Sequence, residues 1–339
     1  MSVIFTEASG VAESIYGNVQ APIQLFLEEQ DAAYEKDSLL PALFKMGKSE
    51  NFGDLLTGMT GMKNWEPTGE GGAIPGNTMR EGFKKMLVYE SFTSSFAVSR
   101  EMAEDSRLMN LEGEPRAFIK AYHDTRDELG AAIYAGALQG KATINFGASG
   151  KVFDISAADT LPLFHKAHPS VLDQNDKKLQ QCNCFADEFS LDALDRIEEK
   201  MQLFETDDGR LARVQPDTIV IPLDAGMRRA VFSAIGSTDN PLDASHAFNY
   251  QYGRWNVICN PLLNRFLKGG VKPWMVMDSK FNQTYGGAVW NDRTELQVES
   301  KTPHINVNTW EGYARFMGTF NNWRFAAAGG MAGGAALVP

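Results

Sequence analysis

Largely apolar residues recur every three or four positions between residues 118 and 138. They are Phe118, Tyr122, Thr125, Leu129, Ala132, Ile133 and Leu138. This spacing places them on one face of an α-helix. Ser99, which is followed by acidic residues, is a typical start, and Gly140 is a typical stop. The pattern predicts a helix over residues 99–138, interrupted near 110–115 and much longer than the usual ~11–12 residues.

A second region, residues 190–291, alternates between helical and strand patterns. Its first helix carries an apolar face formed by Leu191, Leu194, Ile197, Met201 and Phe204. Ser190 is a typical N-cap for this helix. The continuous apolar run 218–222 predicts a buried strand, and Asp224 predicts the start of a further helix. The region is therefore predicted to be a lobe of mixed α and β structure.

Strand patterns return late in the chain, at residues 294–299 and 309–325. The second stretch is rich in aromatic residues, which predicts core strands. A short hairpin is also predicted at residues 144–155. The late strands could pair with this hairpin only if residues 190–291 form an insertion. The small residues of the tail, 326–334, predict either tight packing against backbone or a frayed end.

Residues 51–96 are rich in glycine and contain too few large side chains to form a core. Their second half, residues 86–96, is rich in β-forming residues and roughly alternates, which favours an ordered arm over disorder. Such an arm needs another surface, most simply another copy of the chain. Residues 1–49 are acidic and predict an extended arm with a short helix, although a surface helix of an ordinary domain fits equally well.

Composition limits the function further. A chain of 339 residues exceeds what one compact core usually holds, so two lobes are expected. The formal net charge of −11 argues against a dedicated nucleic-acid binder, because phosphate neutralisation requires clustered Lys and Arg. A wall that encloses nucleic acid without binding it is compatible with this charge. The three cysteines suit a reducing compartment, and neither a secretory signal nor a membrane-spanning run is evident.

Candidate catalytic and metal-binding groups are sparse. His165 and His168 are spaced for metal binding from one helical face, but Pro169 disfavours a helix there. Cys182 and Cys184 lack the spacing of a zinc knuckle. No motif typical of serine hydrolases, P-loop proteins or zinc proteases occurs. We therefore expect no catalytic residue, no metal and no cofactor.

The order of these elements resembles that of one known family. An acidic arm is followed by a glycine-rich hairpin, a long helix, a short hairpin, an α/β lobe and returning aromatic strands. Three segments carry the likeness: residues 98–105 (VSREMAED), 164–169 (FHKAHP) and 218–226 (TIVIPLDAG). Together with the order of the elements, they resemble the major capsid proteins of tailed bacteriophages, the family with the HK97 fold, over essentially the whole chain.

The resemblance implies an α+β fold of the HK97-like capsid type. The implied parts are an N-terminal arm at residues 1–50, an extended E-loop hairpin at 51–96, a peripheral domain at 97–189 with a long spine helix at about 99–138, an inserted axial α/β domain at 190–291, and returning peripheral strands with a tail at 292–339. In this family the E-loop lies across a neighbouring subunit. This would explain how residues 51–96 fold without a core of their own.

The resemblance also implies a structural protein that self-assembles, as hexamers and pentamers, into an icosahedral shell around double-stranded DNA. The expected location is the virion capsid, assembled in the host cytoplasm. Because the acidic arm begins close to Met1, a separate scaffolding protein is expected rather than a cleaved scaffolding region, with a portal and decoration proteins as further partners. Two alternatives are an encapsulin-like shell of a cellular compartment and a cytoplasmic α/β enzyme that uses His165 and His168.

Charged residues of the E-loop and the N-terminal arm are candidate intersubunit contacts. The basic residues are Arg80, Lys84 and Lys85, and the acidic residues are Glu28, Glu29, Asp31 and Glu35. We hypothesise that the two groups meet across subunits and set their register. Some shells of this family join an E-loop lysine covalently to an asparagine of a neighbour. Lys63, Lys84 and Lys85 are the candidates here, although ordinary surface lysines are the favoured interpretation.

Overall fold

The computed structural model describes residues 4–5, 17–59, 65, 67–70, 72–74, 76, 81–99, 101, 113–239, 248–270, 272–304 and 307–337. The helices are α1 (Gly17–Asp37), α2 (Leu40–Leu43), α3 (Gly113–Leu138), α4 (Leu191–Gln202), α5 (Ala225–Ile235), α6 (Leu263–Phe266) and α7 (Ser279–Tyr285). The strands are β1 (Ile4–Phe5), β2 (Lys45–Lys48), β3 (Gly53–Met59), β4 (Glu81–Val88), β5 (Glu90–Ser99), β6 (Thr143–Phe146), β7 (Lys151–Asp154), β8 (Thr218–Pro222), β9 (Asn256–Asn260), β10 (Trp274–Met277), β11 (Ala288–His304), β12 (Val307–Phe320) and β13 (Ala326–Gly329). The fold is α+β, as the sequence predicts.

The larger sheet has the strand order β1-β11-β12-β5, and β2 also pairs with β11. β11 and β12 form a long antiparallel ladder, and β5 pairs antiparallel with β12 along its whole length. Alternate residues of β12 lie on the buried face, among them Trp310, Ala314 and Phe316. This is the period of two that a half-buried strand requires. The late aromatic residues are therefore core residues.

The late strands pair with β5 and not with the short hairpin. That hairpin forms as predicted, from β6 and β7, but β12 has β5 as its outer partner. The reason is aromatic packing. The Phe92 ring of β5 stacks on the Phe316 ring at 4.3 Å, and the Phe96 ring lies parallel to the Trp310 ring at 6.0 Å. Residues 90–96 therefore belong to the sheet, so the projecting segment ends before Glu90.

The long helix α3 packs across the larger sheet, with the Phe118 ring 5.2 Å from the Phe96 ring. Its last ten residues, 129–138, are all buried, and six of them are Gly or Ala. A Cβ atom at Gly136 would lie only 2.5 Å from Ile144, so glycine allows the β6–β7 hairpin to pack closely. The helix ends at Leu138, before Gly140 with its positive φ, as predicted. Ser99 is the last residue of β5, and residues 100 and 102–112 lie outside the described part.

The smaller sheet has the strand order β13-β10-β8-β9. β8 and β10 are buried throughout, which explains their continuous apolar sequences. Both predicted helix caps are confirmed. The Ser190 hydroxyl accepts a hydrogen bond from the Ala193 amide at 3.1 Å, and the Asp224 carboxylate accepts one from the Met227 amide at 2.8 Å. Helices α4 and α5 complete the α/β lobe expected for residues 190–291.

The tail packs tightly rather than fraying. β13 pairs antiparallel with β10, from Trp274 opposite Gly329 to Met277 opposite Ala326. A Cβ atom at position 329 would lie 2.4 Å from the Trp274 ring, so only glycine fits there. This pairing places residues 326–329, which belong to the predicted tail, in the α/β sheet. The domain boundaries stay predictions. No helix among the residues described is long and apolar enough to cross a membrane.

Candidate functional site

The hairpin formed by β3 and β4 projects from the subunit and has two different faces. Leu55 lies opposite Met86, and Gly53 lies opposite Val88, so these residues share one face. On that outer face Leu55 is 58% exposed and Met86 is 56% exposed. On the inner face Leu87 is only 3% exposed. The hairpin thus carries apolar side chains on both faces, but its own subunit covers only one face.

Lys85 anchors the inner face. Its Nζ atom donates to the backbone carbonyls of Asp154, at 3.3 Å, and of Ser156. Burial lowers the pKa of Lys85 to about 8, although the carboxylates of Asp154 and Asp159 act in the opposite direction. A largely buried ammonium group with backbone acceptors holds β4 against the loop after β7.

The Asp54 carboxylate accepts hydrogen bonds from four side chains at the base of the hairpin. Ser49 Oγ donates at 2.7 Å, Asn291 Nδ2 donates at 2.8 Å, and Asn51 and the Tyr89 hydroxyl also donate. Burial alone would raise the pKa of Asp54, but these donors outweigh it and lower the pKa. The network joins β3, the residue that links β4 to β5, and β11.

β11 provides two further contacts at the start of the hairpin. Arg293 Nη1 donates to the carbonyls of Glu50, at 2.9 Å, and Asn51, at 2.6 Å. Gly47 on β2 lies beside Asn291, and a Cβ atom there would come within 2.5 Å of Asn291 Oδ1. Glycine at position 47 therefore leaves room for the amide that binds Asp54.

Directly behind this network, Asp292 forms a buried ion pair with Arg126 of α3. Arg126 Nη1 and Nη2 each donate to one carboxylate oxygen at 3.0 Å, and both side chains are less than 5% exposed. The guanidinium also lies 5.2 Å from the Phe316 ring and 5.6 Å from the Trp290 ring. The pair fixes the middle of α3 to β11.

The structure separates the seven charged residues expected at subunit contacts. Lys85 and Asp31 are engaged within the subunit: Asp31 is buried, and its Oδ1 lies 2.8 Å from His123 Nε2 on α3. Glu28 and Glu29 are exposed on α1, and Lys84 is exposed on the outer face of β4, paired with Glu81. Glu35 is half-buried, and Arg80 and Lys63 lie outside the described residues. The intersubunit role of these residues stays a prediction.

His168 belongs to a buried polar cluster. Its Nδ1 atom lies 2.6 Å from Asp159 Oδ2, its Nε2 atom lies 3.1 Å from Asn183 Oδ1, and its ring stacks on Trp323 at 4.3 Å. These contacts join two parts of the segment between β7 and α4 to each other and to Trp323, which lies between β12 and β13. Within the part of the chain that is described, no group of three or more His, Cys, Asp or Glu side chains is arranged to hold a metal ion.

The α/β lobe exposes aromatic residues that the sequence patterns did not single out. Phe232 on α5 is 53% exposed and Phe248 is 73% exposed, while Tyr250 and Tyr252 are about half exposed. Exposed apolar residues of this size often mark interaction surfaces. The helical pattern of the sequence contains part of this information, because Phe232 lies between the inward-facing positions Val231 and Ala234 and so falls on the outer face of α5.

Comparison with known proteins agrees with this architecture. The sequence model of the phage capsid protein family matches residues 90–329. The chain therefore belongs to the phage capsid protein family. It is a structural major capsid protein of a tailed bacteriophage, located in the virion capsid, as the sequence predicts. The match does not favour an encapsulin-like shell or a cytoplasmic α/β enzyme. The match begins at Glu90, so the β3–β4 hairpin lies outside it.

Solved phage capsid structures are similar to the chain. The capsid of the cyanophage P-SCSP1u matches with a TM-score of 0.50 and 10% identity, covering 86% of this chain and 86% of that chain. The capsid of Myoviridae phage XM1 matches with a TM-score of 0.49 and 11% identity, covering 86% of this chain and 90% of that chain. A Mycobacterium phage Cain protein matches with a TM-score of 0.47 and 16% identity, covering 87% and 90%. No curated protein matches the chain. The predicted HK97-like fold is confirmed.

Proposed function

We propose that the β3–β4 hairpin is an intersubunit strap of the shell, with its outer face on a neighbouring copy. The observation that carries this proposal is the contrast between the faces: the inner face is fixed by Lys85 and Leu87, while Leu55, Met86 and Val88 are exposed. Between β3 and β4, Trp65 is 96% exposed. Burying these groups requires a partner, and a capsid subunit has identical copies beside it.

A strap of this kind fits a shell held by large obligate interfaces, on the order of 2,000 Å² or more per subunit. We also infer that the shell encloses double-stranded DNA without binding it specifically, since the net charge is −11. A separate scaffolding protein, a portal and decoration proteins are the further partners we propose, with assembly in the host cytoplasm. A purely structural role without catalysis is proposed as well.

The variant Met86→Asp tests the strap. An unpaired carboxylate at the centre of the outer face would have to be desolvated on docking, which costs several kcal/mol. Met86→Asp should therefore leave soluble subunits and no shells in electron micrographs, with an unchanged unfolding midpoint. Met86→Leu, the matched control, keeps the face apolar and should form shells. Normal shells from Met86→Asp would refute the proposal.

A further inference from the structure

Asn291, Asp292 and Arg293 on β11 contact two different parts of the subunit. Asn291 and Arg293 bond to the base of the β3–β4 hairpin, at Asp54 and at the carbonyls of residues 50 and 51. Asp292 lies between them and binds Arg126 of α3. The register of β11 against β12 shifts between Asp292 and Thr294, so Arg293 is an extra residue without a Cα partner on β12. Such a bulge re-aims side chains.

The contacts on the helix side leave Asp292 little freedom to move alone. Both oxygens of its carboxylate are bound by Arg126, and Oδ1 also accepts from Trp290 Nε1 at 3.2 Å. Arg126 in turn donates to the Tyr122 hydroxyl at 2.7 Å. Because the pair is buried, separating its charges would leave each without water.

The backbone of Asp292 is hydrogen-bonded to the base of the β3–β4 hairpin. The Ser49 amide donates to the Asp292 carbonyl at 3.1 Å, and the Ser49 hydroxyl donates to Asp54. A shift of the hairpin base would therefore pull on the backbone of Asp292, whose side chain is fixed to α3. Lys85 holds the hairpin elsewhere, at the carbonyls of Asp154 and Ser156, which do not belong to β11.

We propose that residues 291–293 couple the orientation of the β3–β4 hairpin to the position of α3. Movement of the hairpin is transmitted through one short stretch of β11 to the Arg126–Asp292 pair, and movement of the helix is transmitted back. Both elements belong to one subunit, so this coupling does not depend on the strap proposed above.

Amide hydrogen exchange of the soluble, full-length subunit tests the coupling. Asp292→Asn preserves the shape of the side chain but removes its charge. It should speed exchange in residues 81–88 by at least about twofold, the lower end of couplings within one hydrogen-bonded network. Helix α5, which lies in the α/β lobe, should keep its exchange rate. Ile119→Val, a buried change elsewhere in α3, is the control and should leave residues 81–88 unchanged.

A double-mutant cycle separates coupling from simple loosening. Asn291→Ala alone should also speed exchange in residues 81–88, and combining it with Asp292→Asn should give less than the product of the two effects. Multiplicative effects would show that the hairpin and the helix are held independently, and would overturn the proposal. Unchanged exchange in residues 81–88 of Asp292→Asn, or an equal increase in α5, would overturn it as well.

Discussion

Replacing Arg126 by Met is a strong test of how the long helix is held. The substitution keeps most of the aliphatic volume but removes both hydrogen bonds to Asp292. The carboxylate of Asp292 would then remain buried. Of the side-chain donors named above, Trp290 Nε1 would still bind it. Water can reach the Asp292 carboxylate only if α3 moves, because the side chains of both residues of the pair are less than 5% exposed.

The magnitude follows from the burial. Removing one partner of a buried ion pair costs about 3–5 kcal/mol, against a total stability of about 5–15 kcal/mol for typical proteins. Arg126→Met should therefore lose a large fraction of the stability of the subunit. Replacing both partners, in Arg126→Met with Asp292→Leu, should recover most of the loss, because an apolar pair of similar volume needs no compensating charge.

Urea unfolding of the soluble subunit, followed by tryptophan fluorescence, measures both effects. Arg196→Met is the matched control, since Arg196 makes an exposed ion pair with Asp192 on α4 and should cost less than about 1 kcal/mol. A loss of less than about 1 kcal/mol for Arg126→Met would refute the reasoning. A double variant as unstable as the single variant would also refute it.

Two further predictions concern the neighbouring lysines of β4. The pKa of Lys85 is about 8 in the folded state, against an ordinary value of 10.5. Between these two pH values the unfolded chain binds more protons than the folded one. The contribution of Lys85 to the free energy of unfolding should therefore rise with pH, by up to about 3 kcal/mol. The difference in unfolding free energy between wild type and Lys85→Met, measured at pH 7.5 and 10, checks this, and a constant difference would contradict it. Lys84 is proposed to face the acidic residues of α1 in a neighbouring subunit, so Lys84→Glu should slow shell assembly and reduce its dependence on salt, as measured by light scattering. Lys84→Gln should have a smaller effect. Assembly of Lys84→Glu at the wild-type rate would rule the contact out.

Local signals predicted the elements well. The caps at Ser190 and Asp224 and the stop at Gly140 depend on neighbouring residues, so the sequence contains what determines them. The class of fold followed from the order of such elements. Pairing partners were harder to predict, because the alternation around Phe92 and Phe96 is the same whether the strand lies in a free arm or in a sheet.

The site was predicted only in part. Arg126 and Asp292 are 166 positions apart, and no local pattern joins them. The sequence offers Lys84 and Lys85 as equivalent candidates, although a strand sends consecutive side chains to opposite faces. That rule alone places the two side chains on opposite faces of β4. The contacts of Lys85 with the carbonyls of Asp154 and Ser156 show that its face is the one toward the subunit.

The position of β13 has a consequence for the order in which the chain can fold. The α/β sheet receives this edge strand from residues 326–329, after the chain has passed through the whole β11–β12 ladder. During synthesis β10 therefore leaves the ribosome long before its partner and keeps an open edge, a template on which other chains can pair. A fragment that ended at residue 291 would keep this edge permanently. The two lobes are consequently interlocked by the path of the backbone, and neither can be produced intact by cutting the chain once between them.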